Sequence, residues 1–394
     1  MMKYFLITLC SLGLCTIVFA QDTEVHLFDI KNTDGKLALT NHRNVSNNSG
    51  YDNQPSFYND NILTFVTTIN SQTDIATYNI RDKVSNFINN TPNGGEYSPL
   101  KIPNSQDVSA VRLDKDGKQR LYRYDFKTGE STELIKDLVV AYYTWFDENT
   151  VVSAVIEEGN LNLYVSNITT GENKKYASNV GRSFHNIPNS KLVSFISKDE
   201  DKWFIKSLNP LTGEIQTITQ TIPKVEDMCW LIDGSILIPS ENRIFKFNPK
   251  KDTRFSILKD FEDNNIQKIT RIATNEIGTM LVLVSEVSPE GIVQKQLDAY
   301  NARDIDAFMA TYTKDIKLYN FPNDLRSEGQ EAMRNSYKGY FEGTPDLHCK
   351  ILYRIVTGNK VIDHELVTAN GNTFKAIAVY EVENGLISKV TFIR

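Results

Sequence analysis

The sequence has few positively charged residues for its length and no cluster of them. Its 394 residues carry 43 Lys and Arg against 49 Asp and Glu, which gives a formal net charge of −6. Proteins that bind DNA or RNA neutralise phosphates with grouped Lys and Arg side chains, and the sequence contains no such group. We therefore expect no nucleic acid among the partners of this protein.

Cysteine is also scarce. Four cysteines occur, and Cys10 and Cys15 lie in an N-terminal segment that we expect to be removed. The other two, Cys229 and Cys349, belong to different predicted domains. A disulfide between them is open in an oxidising compartment, but two buried free thiols are favoured. No Cys and His spacing is typical of a zinc site, so the sequence predicts neither a metal nor a cofactor.

Long hydrophobic runs are missing except at the N-terminus. Lys3 precedes an almost entirely apolar or small stretch, residues 4–18, and the small residue Ala20 follows it. This stretch is shorter than the roughly 20 residues that cross a bilayer, and the pattern is typical of a secretory signal peptide. We predict a signal peptide over residues 1–20 with cleavage after Ala20; the alternative is a membrane anchor. The mature protein would then be exported, periplasmic or extracellular, with no membrane span.

The rest of the chain begins with a repeat. A strand, an Asp or Asn, a Gly-rich or polar turn and a second strand recur between residues 24 and 287. A period of about 40–45 residues made of short strands is the signature of a β-propeller. We predict that residues 21–287 form an all-β six-bladed propeller. The recurring acidic or amide positions are Asp29, Asn79, Asp125, Asn167, Asn209 and Asn248.

The two ends of the repeat region indicate how the ring closes. The sixth unit has inner strands near residues 269–273 and 279–285, after which the pattern ends. The first unit, residues 24–40, has no inner strands before it. We therefore expect residues 24–40 to supply the outer strands of the last blade.

One stretch of the repeat carries a family resemblance. Residues 54–66 (QPSFYNDNILTFV) contain a Pro, aromatic residues, a polar turn and an apolar strand, which resembles the repeat of TolB-like propellers. The resemblance implies the fold and a surface that binds a protein partner. Arg182 and His185 are candidates to face the central channel and bind an anion. A purely structural role for His185 is the favoured alternative.

After residue 287 the period changes from strand to helix. Ser288 has the character of an N-cap and Pro289 of the first helical position. A second helix is predicted to start at Asp304 and a third after Gly329. Strands are predicted over residues 347–357, 360–369, 373–383 and 386–393. We predict that residues 288–394 form an α+β domain in which three helices precede an antiparallel sheet.

Three phrases in this region resemble SnoaL-like proteins. They are residues 297–308 (LDAYNARDIDAF), 319–322 (YNFP) and 379–387 (VYEVENGLI). The resemblance covers residues 289–394 and implies the nuclear transport factor 2-like fold, an α+β cone whose helices and sheet enclose one pocket. Members include ketosteroid isomerase, polyketide cyclases and binding domains. We expect the pocket to hold a small, partly apolar molecule.

The resemblance does not carry the chemistry of ketosteroid isomerase with it. Gln296 aligns with the oxyanion-binding Tyr of that enzyme, Asn320 with its carboxylate base and Ala378 with its protonated Asp. An amide or a methyl group cannot exchange the proton, so steroid isomerisation is not expected, and whether the domain is an enzyme stays open. The residues that the alignment places at the pocket are Gln296, Tyr319, Asn320, Tyr337, Phe374, Ala378 and Tyr380.

One predicted strand carries further titratable groups. Alternation puts Asp363 and Glu365 on one face and His364 on the other. The alignment turns the carboxylates toward the pocket, where a pair can raise one pKa for acid–base catalysis. Hydrophobicity favours the opposite orientation, because Ile362 and Leu366 flank His364. We take Asp363, Glu365 and His364 as catalytic candidates; the alternative is an outward polar face in a homodimer or domain contact.

These observations lead to three hypotheses for function. The first is an exported binding protein, with the propeller as a recognition platform for a protein partner and the SnoaL-like domain holding a small ligand. The second is an isomerase- or cyclase-like enzyme that uses acid–base chemistry in the C-terminal pocket. The third is a cell-envelope scaffold without a small-molecule ligand. A homodimer formed through the C-terminal sheet is compatible with each of them.

Overall fold

The computed structural model describes residues 22–48, 50–92, 94–261, 266–383 and 385–393. The predicted signal peptide, residues 1–20, and its cleavage point after Ala20 lie outside the described residues. Among the residues that the structure describes, no helix has the length and hydrophobicity needed to span a bilayer.

The N-terminal domain is built from short antiparallel strands. In chain order they are β1 (Thr23–Thr33), β2 (Lys36–Asn44), β3 (Asp52–Asn59), β4 (Ile62–Ile69), β5 (Gln72–Asn79), β6 (Val84–Phe87), β7 (Gly94–Lys101), β8 (Val108–Asp114), β9 (Gln119–Tyr124), β10 (Ser131–Glu133), β11 (Val140–Trp145), β12 (Thr150–Glu157), β13 (Asn160–Asn167), β14 (Asn173–Ala177), β15 (Val180–Asn186), β16 (Val193–Ser197), β17 (Phe204–Leu208), β18 (Ile215–Gln220), β19 (Cys229–Trp230), β20 (Ile236–Ser240), β21 (Arg243–Phe247), β22 (Ser256–Asp260), β23 (Gln267–Thr274) and β24 (Met280–Glu286).

These strands form six four-stranded sheets within the described ranges, one for each blade. Five blades use consecutive strands, from β3–β6 to β19–β22, and the sixth has the order β2-β1-β24-β23. The six-bladed propeller predicted from the repeat is therefore confirmed. The first strand of each blade borders the central channel.

The turns within the blades follow from their sequence. In the turn between β9 and β10, Asp125 Oδ1 accepts hydrogen bonds from the backbone N–H groups of Lys127 and Thr128. Gly129 then adopts a φ of 73°, which a glycine tolerates without steric cost. Equivalent caps start at Asn167 and Asn209, so the recurring Asp or Asn serves to fix a hairpin.

Neighbouring blades are joined by buried hydrogen bonds that repeat along the chain. Trp145 Nε1 donates to Ser109 Oγ of the preceding blade at 2.8 Å, and Trp230 Nε1 donates to Ser194 Oγ in the same way at 2.8 Å. A buried indole N–H needs such an acceptor, because leaving it unpaired costs free energy. The tryptophans thus align the blades as well as filling their cores.

The ring closes through strand β1. β1 pairs antiparallel with β24 from Thr23 opposite Glu286 to Asp29 opposite Met280, and β2 adds the outermost strand. Val25 and Leu27 are fully buried in this seam. The prediction that residues 24–40 complete the last blade is confirmed.

The C-terminal domain follows almost directly. The N–H of Val287 donates to the carbonyl of Asp22 at 2.9 Å, and Ser288 caps the first helix by accepting from the N–H of Glu290. The described elements are α1 (Pro289–Ala302), α2 (Ile305–Met309), β25 (Tyr312–Asn320), β26 (Asp324–Glu328), α3 (Gln330–Gly343), β27 (His348–Thr357), β28 (Lys360–Ala369), β29 (Asn372–Glu383) and β30 (Leu386–Ile393).

The sheet of this domain differs in one respect from the prediction. In the described part of the chain its order is β26-β25-β30-β29-β28-β27, and β25 runs parallel to β30. The expectation of three helices followed by an antiparallel sheet was therefore wrong in detail. β25 and β26 lie between α2 and α3 in the chain, and β25 pairs with the last strand, β30.

The helices cover one face of the sheet. α1 contacts β27, β28 and β30, and α3 contacts β25 and β26. The residues buried between the layers include Val293, Phe308, Met333 and Val361, each fully buried. The opposite face of β27, β28 and β29 is not covered by any described element of the domain.

Candidate functional site

A cavity of about 390 Å³ lies between the helices and the sheet of the C-terminal domain. One wall comes from α1 and α3, and the other comes from β27, β28 and β29. The cavity is lined by Gln296, Leu297, Tyr300, Tyr312, Arg326, Ser336, Tyr337, Tyr340, Cys349, Glu365, Val367, Phe374, Ala376, Tyr380 and Phe392.

Glu365 and Tyr380 form the polar centre of the cavity. They lie on the adjacent strands β28 and β29, whose alternation turns both side chains toward the helices. The Tyr380 hydroxyl donates to Glu365 Oε1 at 3.0 Å in a buried setting. Burial, together with the neighbouring Glu365 carboxylate, raises the pKa of Tyr380 well above its ordinary value. Tyr380 therefore stays a protonated donor across the physiological range.

Further phenol groups surround this pair. Burial raises the pKa of Tyr312 well above its ordinary value, against the effect of a side-chain hydrogen bond with Gln296. Burial and the adjacent Tyr340 and Tyr337 likewise raise the pKa of Tyr300. The cavity thus offers neutral hydroxyl groups, aromatic faces and one carboxylate to an occupant.

Several predicted pocket residues do line the cavity. Gln296, Tyr337, Phe374 and Tyr380 are among its walls, together with Glu365. Sequence reasoning missed the other members, which are Leu297, Tyr300, Tyr312, Arg326, Ser336, Tyr340, Cys349, Val367, Ala376 and Phe392. For Tyr300 a signal existed, because it follows Gln296 by one helical turn and shares its face of α1.

Tyr319, Asn320 and Ala378 do not line the cavity, contrary to the alignment. Tyr319 lies on the other face of β25 from the buried Leu318, and its ring lies 5.4 Å from Lys389 Nζ. Asn320 lies at the end of that strand, where its amide donates to Asp324 Oδ2 at 3.2 Å. Ala378 is fully buried on the interior face but is not among the residues that line the cavity.

Asp363 is buried on the same face as Glu365 but belongs to an ion pair. Arg354 Nε and Nη2 each donate to one carboxylate oxygen of Asp363 at 2.7 Å. Arg354 Nη1 also donates to Gln294 Oε1 at 2.9 Å, which ties the pair to α1. Asp363 is outside the cavity lining, so its expected role as an acid or base is not supported by its position.

His364 is on the opposite face of β28. Its ring stacks on Tyr353, with centroids 6.0 Å apart, on the face that the helices leave uncovered. It cannot act together with Glu365 from there. Of the two arguments made from sequence, the one that turned the carboxylates inward agrees with the burial of Asp363 and Glu365, which are 1% and 7% exposed.

The propeller contains a second, larger cavity at its centre. It measures about 970 Å³ and includes both predicted channel residues, Arg182 and His185. Arg182 Nε donates to Asp227 Oδ2 at 2.9 Å, and the His185 ring lies 3.1 Å from Ser183 Oγ. Burial lowers the pKa of His185, so this histidine is neutral near pH 7 and adds no charge to the channel.

Two cysteines lie within the described residues. Cys229 and Cys349 are both buried and free, as the favoured interpretation held. Across the described ranges, no three His, Cys, Asp or Glu side chains are grouped so that they could hold a metal ion.

Comparison with known proteins supports two families of fold. The family model for SnoaL-like domains matches residues 293–390. No protein with a curated description matches the chain. The chain is similar to a TolB-type protein from Agrobacterium tumefaciens, with 12% identity and a TM-score of 0.52. The match covers 68% of this chain and 98% of that protein.

Two solved structures are similar to the C-terminal part. An uncharacterized cystatin-fold protein from Novosphingobium aromaticivorans is 30% identical over 27% of this chain and 99% of its own, with a TM-score of 0.26. An NTF2-like protein of unknown function from Cytophaga hutchinsonii is 19% identical over 27% of this chain and 90% of its own, with a TM-score of 0.24. Residues 293–390 thus match the SnoaL-like domain family, and they follow a β-propeller that is similar in fold to TolB.

Proposed function

We propose that this protein is an exported binding protein whose C-terminal domain holds a small, partly apolar molecule. The observation that carries the proposal is the Glu365–Tyr380 pair, with its 3.0 Å hydrogen bond, at the wall of a 390 Å³ cavity. In this arrangement the aromatic walls bind the apolar part of the ligand. The carboxylate and the hydroxyl groups then bind its polar part.

The size and lining of the cavity support a ligand rather than a packing defect. Ligand sites commonly measure about 300–1,000 Å³ and combine apolar walls with a few convergent polar groups. Large voids without such groups are rare in protein interiors, because packing is close to crystalline density.

The propeller is proposed to present a platform for a protein partner, and the chain is proposed to be exported. Export is supported by the positively charged Lys3 near the N-terminus, the apolar stretch at residues 4–18 and the small residue Ala20. N-terminal sequencing of the secreted or periplasmic form checks this, with Gln21 expected as the first residue.

Native mass spectrometry of the full chain tests ligand binding. The wild type is expected to carry a small molecule that survives gentle ionisation and leaves on activation. Ala376→Phe adds a ring to the cavity wall and should abolish the extra mass, while Glu365→Gln should reduce it. His364→Gln is the matched control, since it alters the adjacent residue on the uncovered face and should leave the mass unchanged.

Two results would contradict this proposal. One is a wild type without any bound small molecule when purified from its own host. The other is a bound mass that persists unchanged in Ala376→Phe, because that ligand would then occupy another place.

Acid–base catalysis in the same cavity is the second candidate. The observation that favours it is the contact between the Tyr380 hydroxyl, a neutral proton donor, and the Glu365 carboxylate, a base. Incorporation of deuterium from D₂O at the α-carbon of acetophenone, which fits the cavity, would show such chemistry. The exchange should disappear in Glu365→Gln and persist in Asp363→Asn; an equal rate in Glu365→Gln removes this candidate.

A homodimer through the C-terminal sheet is also proposed. The uncovered face carries Tyr353 at 74% and Ile355 at 59% exposure, beside the half-buried Ile362 and Val379. Contiguous exposed apolar surface of this kind marks interaction sites. At the rim, Glu381 pairs with Lys360 and Lys389, the charged border that interfaces commonly have.

A further inference from the structure

One residue from each blade forms a ring around the propeller channel. We name these residues the channel ring: Gln54, Ser98, Tyr142, Arg182, Asp227 and Arg271. All of them border the 970 Å³ cavity. Hydrogen bonds between neighbours connect Ser98 to Gln54, Arg182 to Asp227 and Arg271 to Asp227, at sequence separations of 44, 45 and 44 residues. These separations equal the blade repeat, so the positions are equivalent.

Local irregularities in the inner strands aim these side chains into the channel. Strand pairing shifts register at Gln54 in β3, at Ser98 in β7, and next to Tyr142 in β11. It shifts again around Arg182 in β15 and at Arg271 in β23. A β-bulge re-aims a side chain and is found next to functional sites. The channel ring is thus a set of side chains turned inward by the fold.

Charge is confined to one half of the ring. Arg182, Asp227 and Arg271 occupy three successive blades, and the other three members are neutral. Arg182 Nε and Arg271 Nη1 donate to the same oxygen, Asp227 Oδ2, at 2.9 and 2.6 Å. The three side chains are 32%, 9% and 14% exposed, respectively. Two guanidinium groups against one carboxylate leave a net charge of +1 in a partly buried place.

The guanidinium groups retain donors for a ligand. Each has five N–H groups, and their bonds among the described residues go to Asp227 and to the carbonyl of Thr270. Asp227 fixes the position of both groups, so little rotamer entropy is lost when an anion binds. An uncompensated charge away from bulk water is costly, and an anion removes that cost.

The positive excess is local to the ring. Lys191, Asp147 and Glu276 also line the cavity at other positions, so the charged side chains of its lining number three of each sign. His185 is neutral, because burial lowers its pKa. The excess of one positive charge matches a singly charged carboxylate better than a doubly charged phosphate.

We infer that Arg182 and Arg271, held in place by Asp227, form a binding site for a carboxylate on an organic ligand. Planar guanidinium groups pair with carboxylates through parallel hydrogen bonds. Apolar surface next to the site accommodates the rest of the molecule: the Tyr142 ring centroid lies 5.7 Å from Arg271 Cζ, and Phe57, Phe146 and Trp230 border the same cavity. This site is separate from the C-terminal cavity and does not depend on its proposed function.

Ligand-detected NMR titration of the full chain tests the site with matched probes. Benzoate represents a free organic acid and benzamide is its neutral isostere. N-acetylphenylalanine represents a peptide C-terminus and its primary amide is the control. We expect benzoate, N-acetylphenylalanine or both to bind and the amides to bind at least about tenfold more weakly, the loss of one or two charge-assisted hydrogen bonds. Which acid binds more tightly identifies the source of the carboxylate.

Variants distinguish a ligand-binding role of the two arginines from a purely structural role in their ion pairs with Asp227. Arg271→Gln and Arg182→Gln should each weaken binding of the preferred acid by roughly 10- to 100-fold. Asp227→Asn keeps a side-chain oxygen that accepts from the two guanidinium groups but removes the competing negative charge, so binding should be equal or tighter. Arg243→Gln is the charge-matched control, since Arg243 pairs with Asp260 on an outer strand and is 49% exposed.

Binding of acids and amides with equal affinity overturns the inference. Unchanged binding in both arginine variants does so too, as does a loss in Arg243→Gln equal to that in Arg271→Gln. Should Arg271→Gln fail to fold, Arg271→Lys keeps the charge but loses the planar fork, and an affinity equal to that of the wild type contradicts the assignment.

Discussion

At the scale of single residues, the buried carboxyl groups of this protein differ in their hydrogen-bond partners. Asp363 has a bidentate arginine, Glu365 has a tyrosine hydroxyl, and Glu96 in the propeller accepts one hydrogen bond from Tyr124 at 2.9 Å. Glu96 is fully buried, and its Oε2 has no hydrogen-bond partner among the described residues. Burial raises the pKa of Glu96 from 4.5 to about 7. For Glu96, burial therefore favours the protonated form.

The raised pKa of Glu96 predicts how stability depends on pH. The folded protein holds this proton up to about pH 7, whereas the unfolded chain releases it above about pH 4.5. The stability that the proton contributes is full below pH 4.5 and is lost as the pH rises through 7. Glu96→Gln cannot ionise and keeps an acceptor for Tyr124. We expect the thermal midpoint of this variant, measured relative to that of the wild type, to increase from pH 5 to pH 8.

Thermal unfolding of both proteins at matched ionic strength measures this effect. Glu130→Gln, at an exposed turn, is the control and should track the wild type at each pH. A difference between Glu96→Gln and wild type that stays constant from pH 5 to pH 8 would contradict the assigned protonation.

At the scale of elements, one β-bulge in the C-terminal sheet determines which residue lies opposite Asp363. The pairing of β27 with β28 shifts register between Ile351 and Tyr353, and this shift places Arg354 directly opposite Asp363. Regular pairing would have put Arg354 opposite Ile362 instead. Alternation alone predicted that Asp363 and Glu365 share a face, but it could not predict the bulge that gives Asp363 an arginine and leaves Glu365 to the cavity.

The closing strand of the propeller is the element whose loss should matter most. Leu27 is fully buried in β1, between β2 and β24. Leu27→Ala removes packing at the seam that joins the two ends of the ring and should lower the free energy of unfolding by about 2–5 kcal/mol. Denaturant unfolding measures the change.

The matched control for this prediction is Ile257→Ala in β22. Ile257 is 54% exposed, so the same kind of truncation should change stability by less than about 0.5 kcal/mol. Equal effects of the two substitutions would mean that the seam contributes no more than a surface position.

At the scale of the whole molecule, the proposed dimer predicts a change of mass in solution. Tyr353→Glu puts a charge on the uncovered sheet face, at the edge strand β27, and burial of an unpaired charge opposes association. We expect the wild type to sediment as a dimer and Tyr353→Glu as a monomer. Ile257→Glu, on an exposed propeller strand, should leave the dimer intact; a monomeric wild type at tens of micromolar concentration contradicts the proposal.

The sequence by itself determined the two domains, the six blades and the closing strand. These features follow from periodicities of 2, about 3.6 and about 44 residues, which are local properties of the chain. The sequence also favoured free thiols over a disulfide for Cys229 and Cys349, which belong to different domains, and both are free in the structure.

Only the tertiary structure decided which side chains meet. Tyr300 and Tyr312 join Glu365 in one cavity, whereas Asn320 and His364 do not, because strand ends and faces depend on neighbouring elements. Asp227 and the two arginines that share it lie on three different blades, and each arginine is 44 or 45 residues from the aspartate in the sequence. Their meeting depends on ring closure and on bulges, whose positions no local pattern in the sequence specifies.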